Sequence, residues 1–355
     1  MSRFFSTRHA SLAAYTPGEQ PQDRRYVKLN TNESPFPPSP AVIAAAAAEA
    51  ERLQLYSDPE SSVVTKAVAD RYGVTPDMVL MVNGSDEILN FAFMAFGDEA
   101  HGFVCPDITY GFYPVFAALN HVPLREIPLT EDFCVNVDDY CSVGANVVLA
   151  NPNAPTGRLL PISEIERIVR TNPDHVVIID EAYVDFGGVS CVPLVHKYEN
   201  LLVTQTFSKS RSLAGGRLGF GVGNAALIRD LNTIKYSTNP YNVNRMTAAC
   251  GAAAIADDAY YMRNAQTIVE NRDYTASELQ KRGFTVLPSA ANFLFARPGF
   301  CSGGDLYRGL KARGVLIRHW DKPRIAPWCR ITIGTREQMD ALLAAIDDMR
   351  KETTT

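Results

Sequence analysis

Two residues in this chain could do chemistry as a pair. Lys209 lies within Thr206-Phe-Ser-Lys-Ser-Arg-Ser-Leu-Ala-Gly-Gly-Arg217, and Asp180 opens Asp180-Glu-Ala-Tyr183 directly after the apolar run Val176 to Ile179. A lysine amine can hold an aldehyde, and a carboxylate can face a protonated ring nitrogen. Those are the two ends of a pyridoxal phosphate (PLP) site. Each residue follows a predicted buried strand, Val176 to Ile179 or Leu201 to Thr204, and open α/β sheets bind ligands at the carboxyl ends of such strands. Asp-Glu after a strand could instead cap a helix or bind magnesium, and a lysine between two serines could be a solvated charge. The order of the two, with Lys209 following the core-like Val203-Thr-Gln-Thr-Phe207, favours the paired reading.

Further residues suit a phosphate-bearing cofactor. Gly84-Ser85-Asp86 opens a predicted helix, where free backbone N–H groups and the positive end of the helix dipole attract an anion. Ser208 and Arg217 add a hydroxyl and a guanidinium. Asn83-Gly84-Ser85-Asp86 read alone is an ordinary turn and N-cap. Tyr183 can hydrogen-bond a ring 3-oxygen. Tyr110, Phe112 and Tyr113 taken alone are core aromatics.

The elements that must position these groups alternate. Ser39-Pro40 opens an alanine-rich helix reaching Leu53, with serine as N-cap and proline at the first turn. Strands at Val79 to Val82, Phe103-Val104 and Asn146 to Leu149 then alternate with helices at Asp86 to Phe96, Gly111 to Leu119 and Ile162 to Arg170. This predicts an α/β fold, a mostly parallel sheet with helices on both faces. After about Asn244 come helices at Arg245 to Ala256 and Ala259 to Arg282. Strands at Thr285 to Leu287, Asn292 to Ala296, Val315 to Arg318 and Arg330 to Ile333 follow, with helices at Gly304 to Ala312 and Arg336 to Met349. The expected organisation is an arm over residues 1–34 associated with the small domain, a large domain over 35–245 and a smaller α/β domain over 246–355, hinged near residue 250. Gly219-Phe-Gly221-Val-Gly223 lacks a dinucleotide fingerprint and reads as a strand edge packed closely on its neighbours.

Composition excludes other classes. The chain has 355 residues, 46% hydrophobic, with a formal net charge of -5 and no lysine-arginine run, so no nucleic-acid partner is predicted. Seven cysteines show no CxxC spacing and no nearby histidines, arguing against a disulfide framework or a metal site. No apolar stretch reaches the length of a membrane span and the amino terminus carries no continuous apolar run, so no membrane association and a cytoplasmic location are expected.

Seven ordered motifs carry a resemblance. They are Lys28-Leu-Asn-Thr-Asn-Glu-Ser-Pro35, Tyr56-Ser-Asp-Pro, Asn83-Gly-Ser-Asp-Glu-Ile-Leu89, Asn151-Pro-Asn-Ala-Pro-Thr-Gly157, Asp180-Glu-Ala-Tyr183, Ser208-Lys209 to Arg217, and Arg330-Ile-Thr-Ile-Gly-Thr335. Over nearly its whole length the chain resembles a fold-type I PLP enzyme and, within that group, a histidinol-phosphate aminotransferase. The resemblance implies that Lys209 bonds the cofactor's aldehyde and later moves the substrate's α-proton, and that Tyr110 stacks on the cofactor ring. It implies that Tyr56 reaches the phosphate of a neighbouring subunit in a homodimer. It assigns Arg330 to the substrate's anionic end, with Tyr15, Arg318 and Asn242 as further substrate contacts, Tyr15 folding the arm over the pocket as a lid. For Arg318 an exposed or structurally paired arginine is an equal reading. One position departs from the pattern: the family carries Asn immediately before Pro-Thr-Gly, where this chain has Ala154. Asn153 is the nearest donor to serve the 3-oxygen through a shifted turn, the alternative being Tyr183 alone.

The implied reaction is transamination between L-histidinol phosphate and 2-oxoglutarate, giving imidazole-acetol phosphate and L-glutamate, in histidine biosynthesis. An aromatic amino-acid aminotransferase shares every cofactor residue, and a threonine-phosphate decarboxylase uses a similar scaffold. A non-catalytic PLP-sensing module is the alternative of a different class, but it needs a DNA-binding segment for which the pattern leaves no room.

Overall fold

A seven-stranded sheet organises the larger part of the chain in the computed structural model, which describes residues 2–354. Its strands run in the order Val79–Val82, Gly219–Gly223, Leu201–Thr206, Val177–Asp180, Asn146–Ala150, Phe103–Pro106 and Leu124–Ile127. All are parallel except Gly219–Gly223, which runs antiparallel to both neighbours. Short runs such as Val177-Ile-Ile-Asp180 are buried throughout, which is why they read as continuous apolar segments rather than alternating ones. The edge strand Leu124–Ile127 instead exposes Arg125 and Glu126, charges that discourage pairing with another chain.

Gly219-Phe-Gly221-Val-Gly223 forms an interior strand, packed closely between Val79–Val82 and Leu201–Thr206. Its glycines admit side chains from the covering helix: a Cβ on Gly221 would sit 2.1 Å from Ile88 Cδ1. Ile88 belongs to helix Ser85–Phe96, which buries Ile88, Leu89, Phe91, Ala92 and Phe93. Each fully buried aliphatic side chain of this kind stabilises the fold by roughly 1.5–3 kcal/mol over its exposed state. On another helix, Ile162–Thr171, Ile165, Ile168 and Val169 are buried while charged residues occupy the outer face. Ser39 caps helix Pro40–Ala50, its Oγ accepting from the Val42 N–H at 3.5 Å.

Two helices, Ser62–Tyr72 and Ala225–Thr238, and the strand Leu124–Ile127 have no counterpart in the sequence reading. Their patterns are weak: Leu124-Arg-Glu-Ile127 carries two charges, and Ser62–Tyr72 interleaves Thr65, Lys66 and Asp70 with its valines.

A second, four-stranded antiparallel sheet has the order Arg318–His319, Cys329–Thr332, Phe293–Arg297, Thr285–Val286. Helices Asp258–Lys281, Gly303–Ala312 and Arg336–Thr354 contribute to the core over it. The amino-terminal arm joins this part through strand Val27–Lys28, which pairs in parallel with Val315–Leu316. Leu29 is fully buried and its carbonyl accepts from the Thr332 N–H at 3.0 Å. That anchor delivers Thr31, Asn32 and Glu33 to the carboxyl ends of the large sheet. No helix among the described residues is long and apolar enough to cross a membrane.

Candidate active site

Register places the chemistry. Asp180 ends its strand opposite Ala150 on one side and Thr204 on the other, and all three strands open into one cavity of about 450 Å³. This is within the range of about 300–1,000 Å³ usual for small-molecule sites. Lys209 enters from the loop after Leu201–Thr206, its Nζ donating to the Thr31 carbonyl at 3.3 Å. Asp180 forms the floor and is 4% exposed. Its Oδ2 accepts from the Tyr113 hydroxyl at 3.0 Å, and its Oδ1 from the Ala182 N–H at 3.2 Å and the Thr204 hydroxyl at 3.5 Å. Burial pushes the Asp180 carboxyl up to about 6, against the lowering effect of the Tyr113 hydrogen bond. A cation held over this floor would relieve that cost. The ring of Tyr183 stands with its centroid 5.7 Å from Lys209 Nζ, and its hydroxyl accepts from Asn32 Nδ2 at 2.9 Å.

One end of the cavity is built for an anion. Gly84 caps helix Ser85–Phe96 with φ +79°, and a Cβ there would lie 2.5 Å from Arg217 Nη2. Gly219 is equally tight, since a Cβ would lie 2.5 Å from the Ser85 nitrogen. Arg217 has φ +52°, an uncommon conformation for a residue with a side chain. Asp86 is not a bare negative charge in this cradle: it accepts from the Tyr110 hydroxyl at 2.6 Å and pairs with Arg217 at 3.4 Å. Its contribution to an anion is therefore the backbone N–H, beside that of Ser85. Ser208 and Thr206 line the same wall, their hydroxyls 2.9 Å apart.

A second, smaller cleft shares Tyr110 and Ala154 with the first cavity. Tyr15 stacks on Phe112 at 4.1 Å and shares a smaller cleft with Arg330, Tyr110 and Ala154. Arg330 donates to the Asn30 carbonyl at 2.9 Å and packs over Phe293 and Trp320, while its buried Nε has no hydrogen-bond partner among the described residues. Desolvation pulls its pKa below the usual arginine value. Arg318 donates to the carbonyls of Thr16 and Pro17, holding the arm beside Tyr15.

The whole chain is similar to known proteins. A sequence model described as aminotransferase class I and II matches residues 24–346. A histidinol-phosphate aminotransferase of Aromatoleum aromaticum is 48% identical over 354 residues, covering 98% of this chain and 99% of that protein. Histidinol-phosphate aminotransferase 1 of Pseudomonas aeruginosa is 47% identical over 98% of this chain and 99% of its own length. The chain belongs to the class I and II aminotransferases, within the histidinol-phosphate aminotransferase family. Its fold matches that of the histidinol-phosphate aminotransferase of Sinorhizobium meliloti, solved with pyridoxal-5'-phosphate, with a TM-score of 0.88 and 22% identity over 99% of both chains. The L-threonine-O-3-phosphate decarboxylase of Porphyromonas gingivalis has the same fold, with a TM-score of 0.81 and 20% identity over 91% of this chain and 99% of that one.

Not every residue singled out from sequence reaches the aminotransferase cavity. Asn153 turns away: its Nδ2 donates to the Ile108 carbonyl at 3.0 Å and Thr156 Oγ1 at 2.9 Å, and its Oδ1 accepts from Thr109 at 2.8 Å. Ala154 lines the cavity in its place, so the shifted-turn reading is corrected. Asn242 is buried against Glu87, which also accepts from the Asn83 N–H, and it holds the loop before the cradle rather than facing substrate. Tyr56 is 82% exposed and stacks on Tyr241 at 4.7 Å, away from the cavity of its own chain.

Other groups at the site were not assigned from sequence. Tyr113 read as a core aromatic, and the signal for its role, a tyrosine three residues after Tyr110, is visible only once Asp180 is placed. Thr31, Asn32 and Glu33 lay inside a quoted motif without a role. Glu33 lines the cavity with its carboxylate bound to Lys28 and Thr31.

Proposed function

We propose that this aminotransferase transfers the amino group of L-histidinol phosphate to 2-oxoglutarate, giving imidazole-acetol phosphate and L-glutamate in histidine biosynthesis. The observation that carries the substrate class is Arg330, whose unpartnered buried Nε lies beside Tyr15 and next to the cavity holding Lys209. A phosphate monoester and a carboxylate both suit such a donor, as the two half-reactions require.

The residues fit PLP. When bound, PLP supplies an electron sink for bond breaking at the substrate's α-carbon. Ser85, the Asp86 N–H, Ser208 and Arg217 would hold its phosphate, the tightness at Gly84 and Gly219 leaving the backbone open to it. Asp180 would accept from the protonated ring nitrogen, Tyr183 would donate to the ring 3-oxygen, and Tyr110 would cover one face against water. With PLP bound, Lys209 Nζ would be the base that takes the proton from the substrate's α-carbon and delivers it to the cofactor carbon two bonds away, and the Thr31 carbonyl, which accepts from Nζ at 3.3 Å, would orient the amine. Arg330 and Tyr15 hold the anionic end of the donor or acceptor, and Arg318 keeps the arm in place above them. The reading includes a homodimer in the cytoplasm, in which the partner subunit's Tyr56 reaches the phosphate. The exposed Tyr56–Tyr241 pair supports this, since neither ring lines the cavity of its own chain.

The test is an absorbance spectrum of the PLP-loaded protein before and after L-histidinol phosphate, phenylalanine or threonine phosphate. Conversion by histidinol phosphate at the lowest concentration supports the proposal. Response to phenylalanine alone makes this an aromatic aminotransferase, and carbon dioxide release from threonine phosphate makes it a decarboxylase.

A further inference from the structure

We infer that Tyr113 is a positioning residue that fixes the carboxylate of Asp180 under the cofactor's ring nitrogen and keeps their shared proton on that nitrogen. The inference rests on the PLP reading above but on a separate set of contacts. Tyr113 is fully buried, and its hydroxyl donates to Asp180 Oδ2 at 3.0 Å. Ala182 and Thr204 donate to Oδ1 instead, so the Tyr113 hydroxyl is the donor to Oδ2 among the described residues. Tyr113 opens helix Tyr113–Asn120, with Pro114 in its first turn, so the phenol is presented from a rigid helix start.

The same ring is tied to the other end of the site. It meets Tyr110 edge-on with centroids 5.6 Å apart, and the Tyr110 hydroxyl holds Asp86, which pairs with Arg217. Floor and phosphate cradle are thus built on two tyrosines separated by one turn of chain.

The chemistry follows from donor count. A buried carboxylate oxygen with its donor removed holds a proton more tightly. The proton shared between Asp180 and the ring nitrogen then moves from nitrogen to carboxylate, leaving a neutral ring beside a neutral acid. A neutral ring withdraws fewer electrons, and removal of the α-proton slows. A purely space-filling Tyr113 would leave the proton where it is.

The test uses PLP labelled with ¹⁵N at the ring nitrogen, bound to the full-length protein, with the nitrogen chemical shift as readout. Tyr113→Phe should move the signal from the pyridinium toward the neutral value and slow exchange of the α-proton of glutamate by about 10–100-fold, the loss of one hydrogen bond to a charged group. Tyr140→Phe is the control: Tyr140 is a buried tyrosine whose hydroxyl has no hydrogen-bond partner among the described residues, and its loss should leave the signal unmoved. Should Tyr113→Phe fail to fold, 3-fluorotyrosine at position 113 keeps the volume and makes a stronger donor. In cofactor-free protein labelled with ¹³C at aspartate side chains, it should lower the titration midpoint of Asp180. An unchanged nitrogen signal in Tyr113→Phe, or an unchanged Asp180 midpoint with fluorotyrosine, overturns the inference. Because the midpoint is read without cofactor or substrate, failure of the functional proposal shows separately, as wild-type protein that binds no PLP.

Discussion

Arg318 donates to the main-chain carbonyl of Thr16 at 3.0 Å, so a side chain of the small sheet fastens the segment that carries Tyr15. On the proposed function, an arginine at this position would act on substrate through the arm it fastens. Arg318→Ala should raise KM for the phosphorylated donor by about tenfold to a hundredfold, the effect of losing hydrogen bonds from a charged group. It should also speed tryptic cleavage after Arg8 in the arm. Arg318→Lys, a point charge without the fork, should restore only part of either effect. Unchanged proteolysis in Arg318→Ala would show that the arm is held by other contacts.

Among the described residues, Lys209 is the lysine that lines the cavity. Lys209→Ala should reduce steady-state transamination to background while the protein keeps its fold, measured by circular dichroism and glutamate formation. Retained turnover would sink the assignment.

The pH dependence of stability follows from Asp180. Unfolded, this carboxyl titrates near its ordinary value of 3.8; in the folded protein burial pushes it up to about 6. Between those values the folded state binds more protons than the unfolded one, so stability falls as pH rises through the window and changes no further above it. Relative to Asp180→Asn, the cofactor-free wild-type protein should lose on the order of 3 kcal/mol between pH 4 and pH 7, read as a drop in Tm. PLP should recover much of that loss, because a protonated ring nitrogen compensates the buried charge. A constant difference from Asp180→Asn across the window would refute the buried-charge account.

Gly84 tests the phosphate cradle. With φ +79° and a virtual Cβ 2.5 Å from Arg217 Nη2, Gly84→Ala strains the backbone and displaces the guanidinium. Strain of roughly 1–3 kcal/mol should weaken PLP binding by about tenfold or more, measured by equilibrium titration of cofactor-free protein. Normal affinity would mean that the phosphate lies elsewhere.

Tyr56 tests the dimer. If each site takes this tyrosine from its partner, mixing Tyr56→Ala with Lys209→Ala chains makes heterodimers with one intact site. Random pairing should then recover about a quarter of wild-type activity where neither variant alone is active. No recovery would place Tyr56 in its own chain's site or in none.

The amino-acid sequence by itself determined the strand ends and the chemistry they carry. Val176 to Ile179 and Leu201 to Thr204 are short, apolar and β-branched, and Asp180 and Lys209 follow them directly, so local pattern was enough to bring both to one end of a sheet. Gly84 at a helix start was legible for the same reason, since capping and helix dipole depend on neighbours in the chain. Where side chains face depended on contacts between distant segments. Asn153 and Ala154 are adjacent, and which of them faces the cavity was decided by the Ile108 carbonyl and Thr109, over forty positions away. Tyr113 looked like any core aromatic until Asp180, 67 residues on, supplied its acceptor. Arg318 meets its carbonyl partners across about 300 residues, near the pairing of strand Val27–Lys28 with Val315–Leu316, a long-range arrangement that no local periodicity encodes.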